Sequence, residues 1–248
     1  MKALILAAGF GTRLRPLTND IPKSLLPLCG RKVIDEQLAA IVSANLSEIF
    51  IVTNSKFRAL LENWQLSSSR RARIKIMDDG VKEEIERKGA VGDLAFFIEK
   101  ANPKDSLFVL GSDNLFEEDF NGIINFFSAQ NEAIVVAISH LKNANLSRQP
   151  NEVSLDSAGR IIDFREKPVQ PKSPYFASLL YLLPESKLSL AAEYTSSRRD
   201  PDNAGNLIAW LVEEGEPVFG YKMKGRRFDI GDPKSYHSTQ RDYPCIRT

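Results

Sequence analysis

The stretch Lys2-Ala3-Leu4-Ile5-Leu6-Ala7-Ala8-Gly9-Phe10-Gly11-Thr12-Arg13-Leu14, followed by Pro22-Lys23-Ser24-Leu25-Leu26-Pro27, decides how this chain is read. The apolar run Ala3-Leu4-Ile5-Leu6 predicts a short buried strand. It opens into a loop whose two glycines let the backbone approach a ligand closely and turn its N–H groups toward anionic oxygens. Arg13 adds a planar fork matched to phosphate, and Lys23 adds a point charge. Two better-known phosphate motifs fail on the same residues. Leu14 stands where a dinucleotide fingerprint needs its third glycine, and Gly11 is followed by Thr12-Arg13 rather than the Lys-Ser/Thr of a P-loop.

Working outward, apolar runs alternate with helical patterns. Strands are predicted at Ile49-Phe50-Ile51-Val52, Ile74-Lys75-Ile76, Leu107-Phe108-Val109-Leu110 and Ile134-Val135-Val136-Ala137-Ile138. Ile34, Leu38, Ile41 and Val42 keep helical spacing, as do Leu94, Phe97, Ile98 and Ala101. Such alternation predicts an α/β fold with a right-handed, mostly parallel sheet. After about residue 150 the pattern changes. Val153 to Leu155, the turn Asp156-Ser157-Ala158-Gly159 and Ile161 to Phe164 read as a hairpin. Phe176 to Leu183 reads as a further strand, Asn206 to Glu213 as a helix, Val218 to Tyr221 as a strand and the segment after Pro233 as a last helix. Tyr194 to Gly205 reads as a polar loop. One domain over residues 1–248 is expected, with halves at about 1–150 and 151–248.

Composition narrows the function classes. The 248 residues carry a net charge of +1, which offers no basic stripe for nucleic acid and no pull toward an anionic membrane. No apolar run reaches the length of a membrane span, and no leader pattern follows Met1-Lys2, so a cytoplasmic location is expected. Two cysteines, Cys29 and Cys245, make no framework and are expected as reduced thiols, although a bridge between them stays open. A homo-oligomer also stays open.

Two carboxylates carry the chemistry. Asp113, in Gly111-Ser112-Asp113-Asn114, follows a strand at its carboxyl end, where open α/β sheets bind ligands. Asp229, in Phe228-Asp229-Ile230-Gly231-Asp232-Pro233, sits between apolar neighbours and needs a partner, which a divalent cation would supply. Asp232 before Pro233 reads as a helix N-cap. Two carboxylates with phosphate oxygens and water suit Mg²⁺.

The opening signature resembles that of the sugar-1-phosphate nucleotidyltransferases (nucleoside-diphospho-sugar pyrophosphorylases), and the resemblance runs from Met1 to about Tyr236. It implies a Rossmann-like, GT-A-like fold with an inserted hairpin region for the sugar phosphate. It implies an enzyme that joins a nucleoside triphosphate to a sugar-1-phosphate. By the same resemblance Arg13, Lys23, Asp113 and Asp229 are catalytic, with Asp113 and Asp229 on Mg²⁺. Leu6, Ala8, Gly9, Gly11, Thr12 and Arg13, with Asp79 and Gly89 on the base side, would hold the nucleotide. Glu166 of Phe164-Arg165-Glu166-Lys167-Pro168 would take sugar hydroxyls and Lys167 the sugar phosphate. Asn151 and Leu179 stand at sugar-side positions where small residues are usual. Gly89 and Gly92, in Arg87-Lys88-Gly89-Ala90-Val91-Gly92-Asp93, would let backbone reach the base edge. This variant is most similar to thymidylyltransferase-like members, implying dTTP or UTP with glucose-1-phosphate. A cytidylyltransferase for a non-sugar phosphate such as phosphocholine, or a nucleotide-sugar-sensing subunit, are the rival readings.

Overall fold

The structure, a computed structural model, describes residues 1–46, 48–141, 144–145 and 151–245. In chain order the elements are β1 (Lys2–Leu6), β2 (Pro27–Leu28), β3 (Arg31–Lys32), α1 (Val33–Ser43), β4 (Ile49–Thr53), α2 (Arg58–Ser67), β5 (Ile74–Asp78), α3 (Gly89–Ala101), β6 (Leu107–Gly111), β7 (Asn114–Phe116) and α4 (Asn121–Ser128). The second half contains β8 (Ile134–His140), β9 (Ala144–Asn145), β10 (Asn151–Leu155), β11 (Ile161–Arg165), β12 (Tyr175–Leu183), α5 (Ser189–Ser196), α6 (Ala204–Glu213), β13 (Val218–Lys222), β14 (Arg227–Asp229) and α7 (Pro233–Asp242).

Among the described residues a nine-stranded sheet runs β11-β10-β12-β6-β1-β4-β5, with β8 on β12 and β13 on β8. β6, β1, β4 and β5 are mutually parallel, each reached through a helical crossover. The period of two along β1 builds the layers. Leu4 and Leu6 enter one core with Val91, Leu94 and Phe97 of α3 and with residues of α5 and α6. Ala3 and Ile5 enter the opposite core with Leu38 and Ile41 of α1, Leu61 of α2 and Ile123 of α4. The result is the α/β layering that the alternating pattern predicts.

β12 makes the join between the two halves. Its residues Leu180–Leu183 pair antiparallel with β6, whereas Tyr175–Ala177 pair with β10, and the register breaks between Ala177 and Tyr181. The β10–β11 hairpin therefore stands beside the carboxyl end of β6. A small sheet, β7-β14-β9, closes the same end and sets Asp229 opposite Asn114.

Two expectations change. Cys29 and Cys245 are disulfide-bonded rather than reduced, because the tertiary path brings the loop after β2 beside the segment after α7, 216 residues on. The polar loop is shorter at both ends, because Tyr194, Thr195 and Ser196 belong to α5 and Ala204 and Gly205 to α6; Tyr194 packs its ring on Trp210 at 5.6 Å. Asp232 caps α7 as expected, its Oδ1 accepting from Ser235 N at 2.8 Å. No helix among the described residues is long and apolar enough to cross a membrane.

Phe97 joins α3 to the sheet and stacks edge-on against Phe50 at 4.9 Å with no exposed surface. Phe97→Ala is expected to cost about 3–5 kcal/mol in urea unfolding; a loss below about 1 kcal/mol would show that α3 does not anchor this face.

Candidate active site

A crevice of ≈ 530 Å³ opens at the carboxyl ends of β1, β5 and β6 and reaches the β10–β11 hairpin. Its centre is built by the turns that leave β1 and β6. Ala7 N donates to Val52 O, and the Asn54 amide donates to Ala8 O at 2.7 Å, so the glycine loop is tied to β4 before it turns. A Cβ on Gly9 would touch no protein atom and would stand in the crevice itself. Gly11 needs its glycine for another reason: it has φ +65° and carries Thr18 against it, with Thr18 Oγ1 donating to Gly11 O. Arg13 is exposed at the crevice wall and makes no ion pair among the described residues.

Across the loop, the Gln37 amide donates to both Gly111 O and Asn114 O at 2.9 Å, clamping the turn that carries Asp113. Lys23 Nζ lies 2.5 Å from Asp113 Oδ2. Asn114 Nδ2 donates to Asp113 Oδ1 at 2.8 Å, and Ile230 N donates to Asp113 O, joining the two aspartate-bearing segments through the backbone. Arg227 NH2 donates to Asp229 Oδ1 at 3.3 Å. Burial alone would raise the Asp113 carboxyl, but Lys23, seconded by Arg227, holds it below the usual carboxylate range. Asp113 is thus an anion at neutral pH.

The donor set can be tested against a divalent cation. Among the described residues no group of three or more His, Cys, Asp or Glu gathers, so a cation here would rest on two carboxylates plus substrate oxygens and water. Mg²⁺ accepts that arrangement. Asp113 and Asp229 both line the crevice on adjacent segments, and each carries a cation partner that a metal could replace. The residues fit the group.

Of the residues singled out in the sequence, Leu6, Ala8, Gly9, Gly11, Thr12, Arg13, Lys23, Asp79, Gly89, Asp113, Asn151, Lys167, Leu179 and Asp229 all line this crevice. Glu166 stands just behind it. Its Oε1 accepts from Lys167 Nζ at 2.6 Å and from the Asn203 amide. Leu179 fits because its neighbour is Gly111, where a Cβ would come within 3.2 Å of Leu179 Cβ. At Gly89 and Gly92 the lack of a side chain also admits the chain itself. A Cβ on Gly89 would lie 2.5 Å from Pro201 O, and Gly92 faces Lys88 and Pro201. Ala90 N and Val91 N donate to Asp202 O and Pro201 O, capping α3 with backbone from beyond α5.

Sequence reasoning missed Arg227 and Asp93. Arg227 lies two residues before Asp229 on a strand, so the period of two puts both on one face, a signal that was available. Asp93, the last residue of the 87–93 segment, carries no comparable local signal. It is only 6 % exposed, beside Asp79, and its Oδ1 has no hydrogen-bond partner. Burial, then the neighbouring Asp79, pushes the Asp93 carboxyl up to about 8, and burial also raises Asp79. The pair shares a proton near neutrality.

A raised acid pKa means that the folded state holds more protons than the unfolded one between the unfolded value and about 8. The stability from that proton is present at low pH and is lost as pH rises through this window. Asp93→Asn removes the titration, so it is expected to melt several degrees above the parent at pH 8.5, the gap closing toward pH 4. Equal gaps at both ends, read by thermal melting, would refute the shared proton.

A family model described as nucleotidyl transferase matches residues 2–244. The chain is 29% identical over 238 residues to the mannose-1-phosphate guanylyltransferase catalytic subunit beta of Danio rerio, and 29% to that of Xenopus tropicalis, covering 95% of itself in each case. It spans only 62% of the length of these curated relatives. Among solved structures, a putative glucose-1-phosphate thymidylyltransferase from Bacillus anthracis in complex with a sucrose shares the fold. Its TM-score is 0.83 at 22% identity, covering 100% of this chain and 97% of that one. A UDP-glucose pyrophosphorylase complexed with UDP-glucose gives 0.81 at 18% identity, covering 98% and 97%. On the extent of the family match, supported by the shared fold, the chain belongs to the nucleotidyl transferase family.

Proposed function

We propose that this protein transfers a nucleoside monophosphate from a nucleoside triphosphate to a sugar-1-phosphate and releases pyrophosphate. The observation that carries the reading is the Lys23–Asp113 ion pair at the centre of the crevice, with the glycine loop and Arg13 on one side and Lys167 on the other. A sugar-phosphate oxygen attacks the α-phosphorus, the bond from that phosphorus to the α–β bridging oxygen breaks, and pyrophosphate leaves with the electron pair. No protein nucleophile is needed, because the attacking phosphate is already an anion. Catalysis is alignment plus stabilisation of charge.

In this scheme backbone N–H groups of Gly9, Gly11 and Thr12 face the triphosphate, with Leu6 and Ala8 forming the floor beneath. Arg13 neutralises the departing pyrophosphate. Lys23 exchanges Asp113 for an α-phosphate oxygen. Asp113 and Asp229 would hold Mg²⁺, which when bound offsets the charge of the reacting phosphates. Lys167 holds the sugar phosphate, while Asn151 and Glu166 accept from sugar hydroxyls beside Leu179.

Asp79 and Gly89 face the base. A carboxylate suits a base presenting two adjacent N–H donors, as guanine does, whereas uracil and thymine offer one donor between two carbonyls. With the guanylyltransferase names of the relatives, this supports GTP and mannose-1-phosphate ahead of the dTTP or UTP and glucose-1-phosphate implied by the opening signature. A choline phosphate is disfavoured: among the described residues the aromatics lining the crevice are Phe10 and Tyr181, too few for a cage. A supply of nucleoside triphosphate points to the cytoplasm as the place of action.

Pyrophosphate release with Mg²⁺, across a matrix of nucleoside triphosphates and sugar-1-phosphates with phosphocholine included, tests the reading. Release requiring both GTP and mannose-1-phosphate is expected. A preference for dTTP or UTP would overturn the base assignment alone, and silence across the matrix with nucleotide still bound would favour a sensor. Lys23→Ala is expected to lower turnover about 10²–10³-fold while the protein still folds, as read by circular dichroism. Near-normal turnover in that folded variant would remove Lys23 from the mechanism.

A further inference from the structure

Arg227 joins the two aspartates in a way that the proposed reaction does not require. On β14, Arg227 and Asp229 alternate with Phe228, so the two polar side chains share the crevice side while Phe228, 1 % exposed, enters the core beneath. The Arg227 guanidinium is itself largely covered, at 12 % exposure. Its NH2 donates to Asp229 Oδ1 at 3.3 Å, and its Nε donates to Asn114 Oδ1 at 2.8 Å. Guanidinium has no acceptor, so the oxygen of the Asn114 amide must face it, which leaves Nδ2 for Asp113 Oδ1 at 2.8 Å. One rigid fork therefore reaches one carboxylate directly and the other through a single amide, and the β7–β14 register sets those two strands side by side.

We propose that Arg227 is a positioning residue whose fork, relayed through Asn114, sets the orientation and separation of Asp113 and Asp229 and thereby the affinity of that pair for a divalent cation. The inference rests on the reading of Asp113 and Asp229 as metal carboxylates. Its physical basis is the division of labour on Asp113. Lys23 takes Oδ2 and must leave to serve a phosphate, whereas the Asn114 bond to Oδ1 stays and keeps the carboxylate aimed. Partners behind a metal ligand act in this way by fixing its orientation, and their loss typically weakens metal binding about 10–100-fold. Arg is suited to the place because its planar donors hold two acceptors at fixed angles, which a lysine ammonium does not.

The alternative is that Arg227 is only a counter-ion, and the two roles predict different Mn²⁺ affinities for the charge-conserving variant. Mn²⁺ titrated into the purified protein and followed by electron paramagnetic resonance, alone and with α,β-methylene-GTP, separates them. If the fork matters, Arg227→Lys keeps the charge yet binds Mn²⁺ about 10-fold more weakly or worse. Asn114→Ala, which cuts the same relay at its other link, does likewise. The double variant should then be no weaker than the weaker single one to within about 2-fold, because both break one chain. The KM for sugar phosphate at saturating metal should stay unchanged. Unchanged Mn²⁺ affinity in Arg227→Lys with tighter binding in Arg227→Met would make Arg227 a counter-ion and overturn the proposal. Additive losses, or a raised KM for sugar phosphate at unchanged Mn²⁺ affinity, would overturn it as well. Asp113→Asn and Asp229→Asn identify which idea has failed. If they weaken Mn²⁺ binding while the relay variants do not, only this inference falls. If they do not, the metal assignment falls with it.

Discussion

Two carboxylates can be held side by side at the end of a sheet only if positive charge stands with them, since their mutual repulsion and the loss of water both oppose it. In this protein each has its own cation, Lys23 for Asp113 and Arg227 for Asp229. The four charges come from three separate parts of the chain, and the elements that carry them are fixed by neutral interactions. Gln37 clamps the Asp113 turn, Asn54 ties the glycine loop to β4, and Phe228 anchors β14 from below. These four charges thus balance one another, and a metal with a triphosphate would exchange partners among them rather than create a charge balance anew.

The order of strands arranges the rest. β5, β4, β1, β6, β12 and β10 follow one another across the sheet, so the Asp79 end, the glycine loop, Asp113, Leu179 and the hairpin lie in sequence along one crevice. The break in β12 makes this row continuous, because one strand pairs with β6 over part of its length and with β10 over the rest. Gly111 and Leu179 meet at that break, the missing side chain of one leaving room for the bulk of the other. At the far end the segment at Pro201–Asp202 caps α3 and brings Arg87 onto Asp202, closing the crevice wall with backbone rather than with a ligand.

What could be read without tertiary structure was whatever is local in the chain. The β1 strand and glycine loop, the helical face of Leu94 and Phe97, the hairpin turn at Asp156 to Gly159 and the Asp232 cap of α7 each follow from a few neighbouring residues obeying a short-range rule. The family motifs likewise each rest on consecutive residues, and by that resemblance they pointed to Arg13 and Lys23 near the start and to Asp113 and Asp229 further on. Tertiary structure alone decided which distant groups meet. It chose the Cys29–Cys245 bond, the Asp79–Asp93 pair, the Lys23–Asp113 contact across 90 positions and the use of Gly89 for packing on Pro201. The reason is physical: backbone preference acts over one or two turns of chain. Burial, ion pairing and close approach depend on distances through space, which only the packed sheet determines.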